Sequence, residues 1–504
     1  MLEQTVKKIL NARVYEAAIE TPLEKAAFLS RRMKNTILIK REDLQPVFSF
    51  KLRGAYNKMT TLTQAQLDKG VICASAGNHA QGLAEAARLM GVKATIVMPK
   101  TTPEIKVANV RARGGKAVLH GDAFDEALTH ARKLEAERGL TFIHPYDDPD
   151  IIAGQGTVAR EILHQHRGED IHAVFIPVGG GGLISGMAAY FKYLQPSIKV
   201  IGVEFEESAC LAAALKAKRR VVLSQVGIFA DGIAVAQIGK EPWKICKDHV
   251  DEVITVTSDE ICAAVKDIFD DTRSITEPAG AVSVAGMKKF VERERCTDKT
   301  LITVSSGANT NFDRLRYVAE RAEVGEQREA ILSVTIPEKP GAFKKFVSII
   351  GKRAITEFNY RFDDPNKAHI FVGVKISSLE EREQLVSELR DADHPVLDLT
   401  DNEVAKSHVR HMVGGHAPNI ENEHLFRFEF PERPGALGKF LNTLGGHWNI
   451  SLFHYRNHGA AYGRVLTGIQ VPKEDMKAFR QKLEELGYPY WEETSNPVYK
   501  AFLG

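Results

Sequence analysis

Between residues 71 and 306, short apolar runs rich in β-branched residues recur with helical patterns between them. VICA (71–74) leads through a glycine-containing loop to a helix near 79–90. KATIVMP (93–99), KAVLH (116–120), TFIHPY (141–146), AVFIPV (173–178), KVIGVE (199–204) and LITVSS (301–306) continue the series. Runs that are apolar throughout fit strands buried on both faces. Their alternation with helices predicts an α/β unit whose parallel sheet is covered on both sides. The N-terminal segment MLEQTVKKILNARVYEAAIETPLEKAAFLS reads as helix leading into this unit, with no signal-peptide core and no transit-peptide character.

The charged stretch ERAEVGEQRE (320–329) changes the pattern, and beyond it the chain repeats itself. SVTIPEKPGAFKKFVSIIG (333–351) recurs as RFEFPERPGALGKFLNTLG (427–445), and FNYRF (358–362) as FHYRN (453–457). IFVGVKI (370–376) with SLEEREQLVSELRDA (378–392) matches GRVLTGIQV (463–471) with EDMKAFRQKLEELG (474–487). Each copy reads strand, helix, strand, strand, helix, strand, the ferredoxin-like order. Pro340 and Pro434 suit the first turn of a helix. HMVGGHAPN, near 408–422, reads as the loop between copies. The expected division is 1–322, 330–402 and 424–504, an α/β domain followed by a tandem α+β domain.

A chain of 504 residues with 44% apolar residues and mean hydropathy -0.20 fits soluble domains with full cores. The net charge is +2, with both signs interspersed, which excludes a nucleic-acid stripe or a basic membrane helix. No apolar run reaches membrane-spanning length. The five cysteines (Cys73, Cys210, Cys246, Cys262, Cys296) form no C-x-x-C and read as reduced thiols, which favours the cytosol. His164 and His166 stand two apart in a polar helix end and read as solvated, so no metal site is expected.

Five motifs carry chemistry. Lys51 stands in Ser49-Phe50-Lys51-Leu52-Arg53-Gly54-Ala55, where an aromatic and small residues can desolvate an amine and hold its pKa down. Ser75-Ala76-Gly77-Asn78-His79-Ala80-Gln81-Gly82 follows a strand and opens a helix, whose first N–H groups suit a carboxylate. Helix capping alone would explain one polar residue there, not four. Gly179-Gly180-Gly181-Gly182-Leu183 exposes a row of amides at a strand-to-helix turn, a cradle for phosphate. It is neither G-x-G-x-x-G nor a P-loop. Ser305-Ser306-Gly307-Ala308-Asn309 ends another strand, where a hydroxyl can meet a heterocyclic nitrogen. In Thr276-Glu277-Pro278-Ala279-Gly280-Ala281, Glu277 either lines the site or serves only in a turn. Ligands of open α/β sheets gather at the carboxyl ends of strands, so one crevice with a phosphate, a carboxylate and a reactive amine is expected.

In this order the motifs resemble the threonine/serine dehydratase branch of the fold-type II pyridoxal-phosphate enzymes, the tryptophan synthase β-like fold. With the duplicated tail, nearly the whole chain is similar to the bacterial biosynthetic threonine deaminases. The resemblance implies pyridoxal 5′-phosphate as a Schiff base on Lys51, with Phe50 against its ring and Asn78 on its ring hydroxyl. It implies phosphate on Gly179, Gly180, Gly181, Gly182 and Leu183, Ser306 facing the pyridine nitrogen, and the substrate carboxylate on Ser75, Gly77 and His79. A serine opposite that nitrogen, in place of an aspartate, leaves the ring a weaker electron sink, which favours prompt loss of the β-substituent over transamination. The implied reaction converts L-threonine, with L-serine as an alternative, to the 2-oxoacid and ammonia, the first committed step of isoleucine biosynthesis. The tail resembles ACT-like regulatory domains. It implies inhibition by isoleucine countered by valine, with Glu338, Phe343, Tyr360, Glu432 and Tyr455 at the effector sites, and a cytoplasmic homotetramer. The aromatics among these also fit a hydrophobic core.

Catabolic dehydratases, serine racemases and threonine synthases share the lysine and the glycine loop but do not predict the double tail. A non-catalytic amino-acid sensor would not need Lys51, Asn78, the glycine loop and Ser306 together. The sequence leaves open the preference between threonine and serine and any need for a monovalent cation.

Overall fold

The computed structural model describes residues 1–166, 170–337, 345–346, 349–351, 353, 355–360, 366–411, 421–431, 439–440, 443–444, 448–456 and 462–503. The chain forms two compact units, Met1–Val318 and Ala319–Gly504.

The first unit holds two sheets where one was expected. The larger contains β1 (Leu23–Lys25), β2 (Thr36–Arg41), β7 (Ala173–Pro177), β8 (Lys199–Phe205), β9 (Glu252–Val256) and β10 (Thr300–Ser305), in the order β1-β2-β10-β7-β8-β9. Only β1 runs antiparallel to its neighbour. The smaller contains β3 (Val71–Ala74), β4 (Ala94–Met98), β5 (Lys116–Leu119) and β6 (Thr141–Phe142), all parallel, in the order β5-β4-β3-β6. TFIHPY contributes only its first two residues as strand. After Ile143 the chain turns, because the ring of His144 takes the amides of Tyr146 and Asp147. The strands β3, β4, β7 and most of β8 and β10 are buried residue by residue, as continuous apolar runs require.

Three helices, Lys51–Thr60, Asn78–Met90 and Pro149–Gln165, pack closely through glycine. A Cβ on Gly154 would lie 2.6 Å from the Cα of Gly54, and one on Gly82 3.1 Å from the carbonyl carbon of Lys51. Only glycine permits such backbone approach. One core fills the faces of β7 and β8 with Val174, Ile176, Ile184 and Met187; another fills β3 and β4 with Val71, Cys73, Ile96 and Met98. All five cysteines are reduced, and four are buried.

The second unit holds two antiparallel four-stranded sheets. β11 (Glu329–Pro337), β12 (Ile355–Tyr360), β13 (Lys367–Lys375) and β14 (Val396–Asp398) take the order β12-β13-β11-β14. β15 (Glu423–Pro431), β16 (Asn449–Arg456), β17 (Tyr462–Gln470) and β18 (Tyr490–Glu492) repeat it as β16-β17-β15-β18. This is the ferredoxin-like arrangement, with the helices Leu379–Asp391 and Met476–Leu486 in matching places. Period-two alternation explains the packing. Leu332, Val334 and Val372 face the first core, Phe426, Phe428 and Val465 the second, while Ile331, Phe371, Leu425 and Leu466 turn the other way into a third that both sheets share. Pro340, Pro434 and the segment HMVGGHAPN lie outside the described residues, apart from His411.

Candidate active site

Hydrogen bonds and close packing knit the five motifs together. β7 and β10 are neighbours, so Gly179 and Ser306 leave the sheet side by side. Ser49 pairs with Gly307: the Phe50 amide donates to the Ser306 carbonyl at 3.3 Å, and the Ala308 amide to the Phe48 carbonyl at 2.9 Å. This pairing sets Lys51 at the head of its helix beside the end of β10. Gly82 brings the second motif against the Lys51 backbone. Asn309 donates to the Asn78 side-chain oxygen at 2.7 Å, and Asn78 donates to Oε1 of Glu277 at 2.5 Å. The Lys51 amine donates to the carbonyl of Pro145 at 2.9 Å, and the ring of the next residue, Tyr146, lies against Gly180. Nζ of Lys51 is 5.2 Å from the centre of the Phe50 ring.

Glu277 stands just before the helix Pro278–Glu294, the usual place for a cap, yet its carboxylate makes no capping bond. It turns to Asn78, so it lines the crevice. Neither does any side chain cap the helix Asn78–Met90. Its first amides are left for an anion. The Ser75 hydroxyl accepts from the Gly77 amide at 3.3 Å, and a Cβ on Gly77 would meet nothing within 4 Å, so this loop faces open space. His79 donates from Nε2 to the carbonyl of Ile143 at 2.9 Å. Burial, reinforced by the nearby Lys51 charge, pushes its pKa down to about 3 and keeps it neutral.

The glycine turn is built to exclude side chains. Gly181 has φ +90° and heads the helix Gly182–Leu194. A Cβ on Gly180 would lie 2.3 Å from the Tyr146 ring, and one on Gly179 2.9 Å from the Cα of Ile233. The Gly180 carbonyl takes the Gly239 amide at 3.0 Å and the Gly179 carbonyl takes the Cys210 thiol at 3.4 Å. The carbonyls are thus used on the protein side, while among the described residues the amides of Gly179 to Gly182 meet no acceptor. That polarity is what a phosphate needs.

Two charges set the chemistry. Burial lowers the Lys51 amine from its ordinary 10.5 to about 8, against the opposing pull of Glu277. An amine so placed is nucleophilic near neutral pH. Burial and the charge of Asp231 push Glu277 up to about 7, opposed by Lys106, the Asn78 amide and Arg314. Partial desolvation would raise Asp231, whose side chain is still about a third exposed, but Lys106 and Arg314 overcome it and hold that carboxyl well below the usual range. Ser306 is buried, with a long bond of 3.4 Å from its hydroxyl to the Ala279 carbonyl. The buried hydroxyls of Ser49 and Ser305 find no partner among the described residues. Amine, amide cradle and spare hydroxyls fit a phosphorylated aromatic aldehyde.

Leu183 is buried in the core under the cradle. Glu338, Phe343 and Glu432 lie outside the described residues; Tyr360 and Tyr455 lie on β12 and β16, and only their backbones are described. Sequence reasoning missed Tyr146, Lys106, Asp231 and Arg314. None belongs to a motif, and each reaches the site through tertiary structure. Among the described residues no group of three or more His, Cys, Asp or Glu could hold a metal ion, and no helix is long and apolar enough to cross a membrane.

Fold and site together define a pyridoxal-phosphate enzyme, and the chain belongs to that family: the model described as pyridoxal-phosphate dependent enzyme matches residues 14–307. Its tail matches the C-terminal regulatory domain of threonine dehydratase twice, over 320–409 and 414–503. The chain is 56% identical over 501 residues to the biosynthetic L-threonine dehydratase IlvA of Burkholderia multivorans, covering 99% of both. It is 54% identical over 501 residues to that of Escherichia coli K12, covering 99% of this chain and 96% of the other. Among solved structures it matches the processed form of threonine deaminase isoform 2 from Solanum lycopersicum. That match has TM-score 0.62 and 50% identity, over 64% of this chain and 93% of the other.

Proposed function

We infer that this chain deaminates L-threonine to 2-oxobutanoate and ammonia with pyridoxal phosphate, as part of isoleucine biosynthesis. The observation that carries this reading is the half-buried Lys51 amine, held beside an amide cradle and the Asn78–Glu277 pair. When bound, the cofactor supplies an electron sink for charge developing at the substrate Cα. Lys51 anchors it, and once released from that role its amine takes the α-proton. Gly179, Gly180, Gly181, Gly182 and Leu183 hold the phosphate, Asn78 the ring hydroxyl, and Ser306 the ring nitrogen. Phe50 packs on the ring. Ser75, Gly77 and the neutral His79 receive the substrate carboxylate at the uncapped helix start. L-serine, smaller by one methyl, is an alternative substrate, since a pocket discriminates a methylene by only about 1–3 kcal/mol.

We assign residues 1–322 to catalysis, and 330–402 and 424–504 to two regulatory subdomains that bind isoleucine as inhibitor and valine as its antagonist. Glu338, Phe343, Tyr360, Glu432 and Tyr455 are the proposed effector contacts, in a cytoplasmic homotetramer. Support comes from the repeated ferredoxin-like sheets and from the names of the relatives. The deciding experiment measures oxoacid release from threonine and serine, with and without isoleucine. Visible absorbance of the bound cofactor should vanish in Lys51→Ala. A colourless wild-type protein overturns the enzymatic reading. A chain truncated after about residue 325 should stay active and ignore isoleucine; inhibition that persists there places the effector site elsewhere.

A further inference from the structure

The turn Asp231–Ile233 belongs to no sequence motif, yet it borders three of them. A Cβ on Gly232 would lie 2.8 Å from the Cβ of Ala279, 3.3 Å from Oε1 of Glu277 and 3.6 Å from Nδ2 of Asn78. At its other end, Ile233 closes on Gly179. The turn therefore walls the crevice from the Asn78–Glu277 pair to the phosphate cradle. Little of its own backbone holds it: Ile233 donates to the Ala230 carbonyl at 2.9 Å and Ala234 to that of Asp231 at 3.3 Å.

Two cations fix it from outside. Oδ1 of Asp231 meets Arg314 at 3.1 Å and Oδ2 meets Lys106 at 2.7 Å. The buried Arg314 also donates to the Ile228 carbonyl at 3.4 Å, so one guanidinium grips the segment at two points. Arg314 is the first residue of the helix Arg314–Gly325.

We propose that Arg314 is a positioning residue for the deamination site. It fixes the Asp231–Ile233 turn against Glu277, Asn78 and Gly179. The role rests on the deamination reading above.

The charged and polar groups facing Glu277 are Asp231 on the turn, Lys106, Arg314, Lys51 and Asn78. Removing the Asp231 charge lowers the Glu277 pKa; removing the Arg314 charge raises it. A general loosening of the fold would not produce opposite signs.

The test compares full-length wild type with Asp231→Asn, Arg314→Met and Arg314→Lys. In the pH profile of kcat/KM for threonine, the limb near pH 7 should move down in Asp231→Asn and up in Arg314→Met. The cofactor Kd should rise about tenfold in Arg314→Met, a change of about 1.4 kcal/mol, with most of it recovered in Arg314→Lys. Unmoved limbs and an unchanged cofactor Kd overturn the positioning role. Should Arg314→Met not fold, the shift in the near-isosteric Asp231→Asn decides alone. A wild type that releases no oxoacid from threonine overturns the deamination reading, while the cofactor Kd still decides the positioning role.

Discussion

The guanidinium of Arg53 grips the carboxylate of Glu42 side-on, Nε to Oε2 at 2.7 Å and Nη2 to Oε1 at 2.8 Å. Glu161 takes its remaining face, and Lys40 joins Glu161 at 2.7 Å, all four side chains being buried. The arginine of the lysine motif thus serves not the cofactor but the footing of the helix that carries Lys51. Arg53→Met leaves two buried carboxylates short of their counter-charge, a loss of about 3–5 kcal/mol. The expected result is a lower unfolding midpoint in denaturant, with activity lost in the protein that remains folded. Arg53→Lys should fall between, since an ammonium cannot reproduce the fork. An unchanged midpoint for Arg53→Met would refute this account.

Gly180→Ala drives a methyl into the Tyr146 ring. Since the ring stands over the cradle, the cofactor Kd should rise at least about tenfold, some 1.4 kcal/mol, as read by a visible-absorbance titration. Gly77→Ala is the contrasting case. Its methyl would enter open space, so the fold and cofactor Kd should hold while KM for threonine rises. Equal effects of the two substitutions on cofactor affinity would contradict the assignment of one loop to phosphate and the other to substrate.

In the cofactor-free protein, the Lys51 amine should gain reactivity toward an aldehyde and hydride trap as pH rises through about 8, and level off above it. Glu277→Gln removes the charge that favours the ammonium, so its midpoint should lie below that of wild type. A midpoint in the ordinary lysine range near 10.5 would show the amine to be solvated. The same depression has a sign for stability. The unfolded chain holds the proton more tightly, so this group's contribution is full above about 10.5 and is lost as pH falls through about 8.

Glu403 gathers Arg321 and Arg464 within the second unit. Its side chain is a third exposed, which discounts the pair against a fully buried one. Glu403→Gln should destabilise the regulatory unit by about 1–3 kcal/mol while leaving the rate without effector unchanged. Calorimetry of the full chain resolves this; a fall in the effector-free rate would contradict it.

Much of the site was legible because its signals are local. A glycine run after an apolar strand, or polar residues at a helix start, declare their backbone role within a few positions. The strands missed were those whose burial depends on distant partners. β2 ends in Lys40 and Arg41, two charges whose burial depends on Glu161, Asp43 and Glu24, far apart in the chain or outside any apolar run. β1 has only three residues, and β9 is half covered. The split into two sheets was not legible either, since the apolar runs of both look alike and only pairing tells them apart. Asp231 and Arg314 stayed hidden for the same reason: an ion pair between residues 83 apart leaves no periodic trace.

The pairing of Ser49 with Gly307 also has a meaning in time. Asn309 donates to the carbonyl of Val47 across 262 residues of chain, so the segment carrying Lys51 waits for the end of β10 to be synthesised. Contacts this distant make a slow, late step in folding. A ribosome-bound fragment can complete the smaller sheet long before it can seat its reactive amine, and the emerging chain therefore carries no competent aldehyde trap until its first unit is whole.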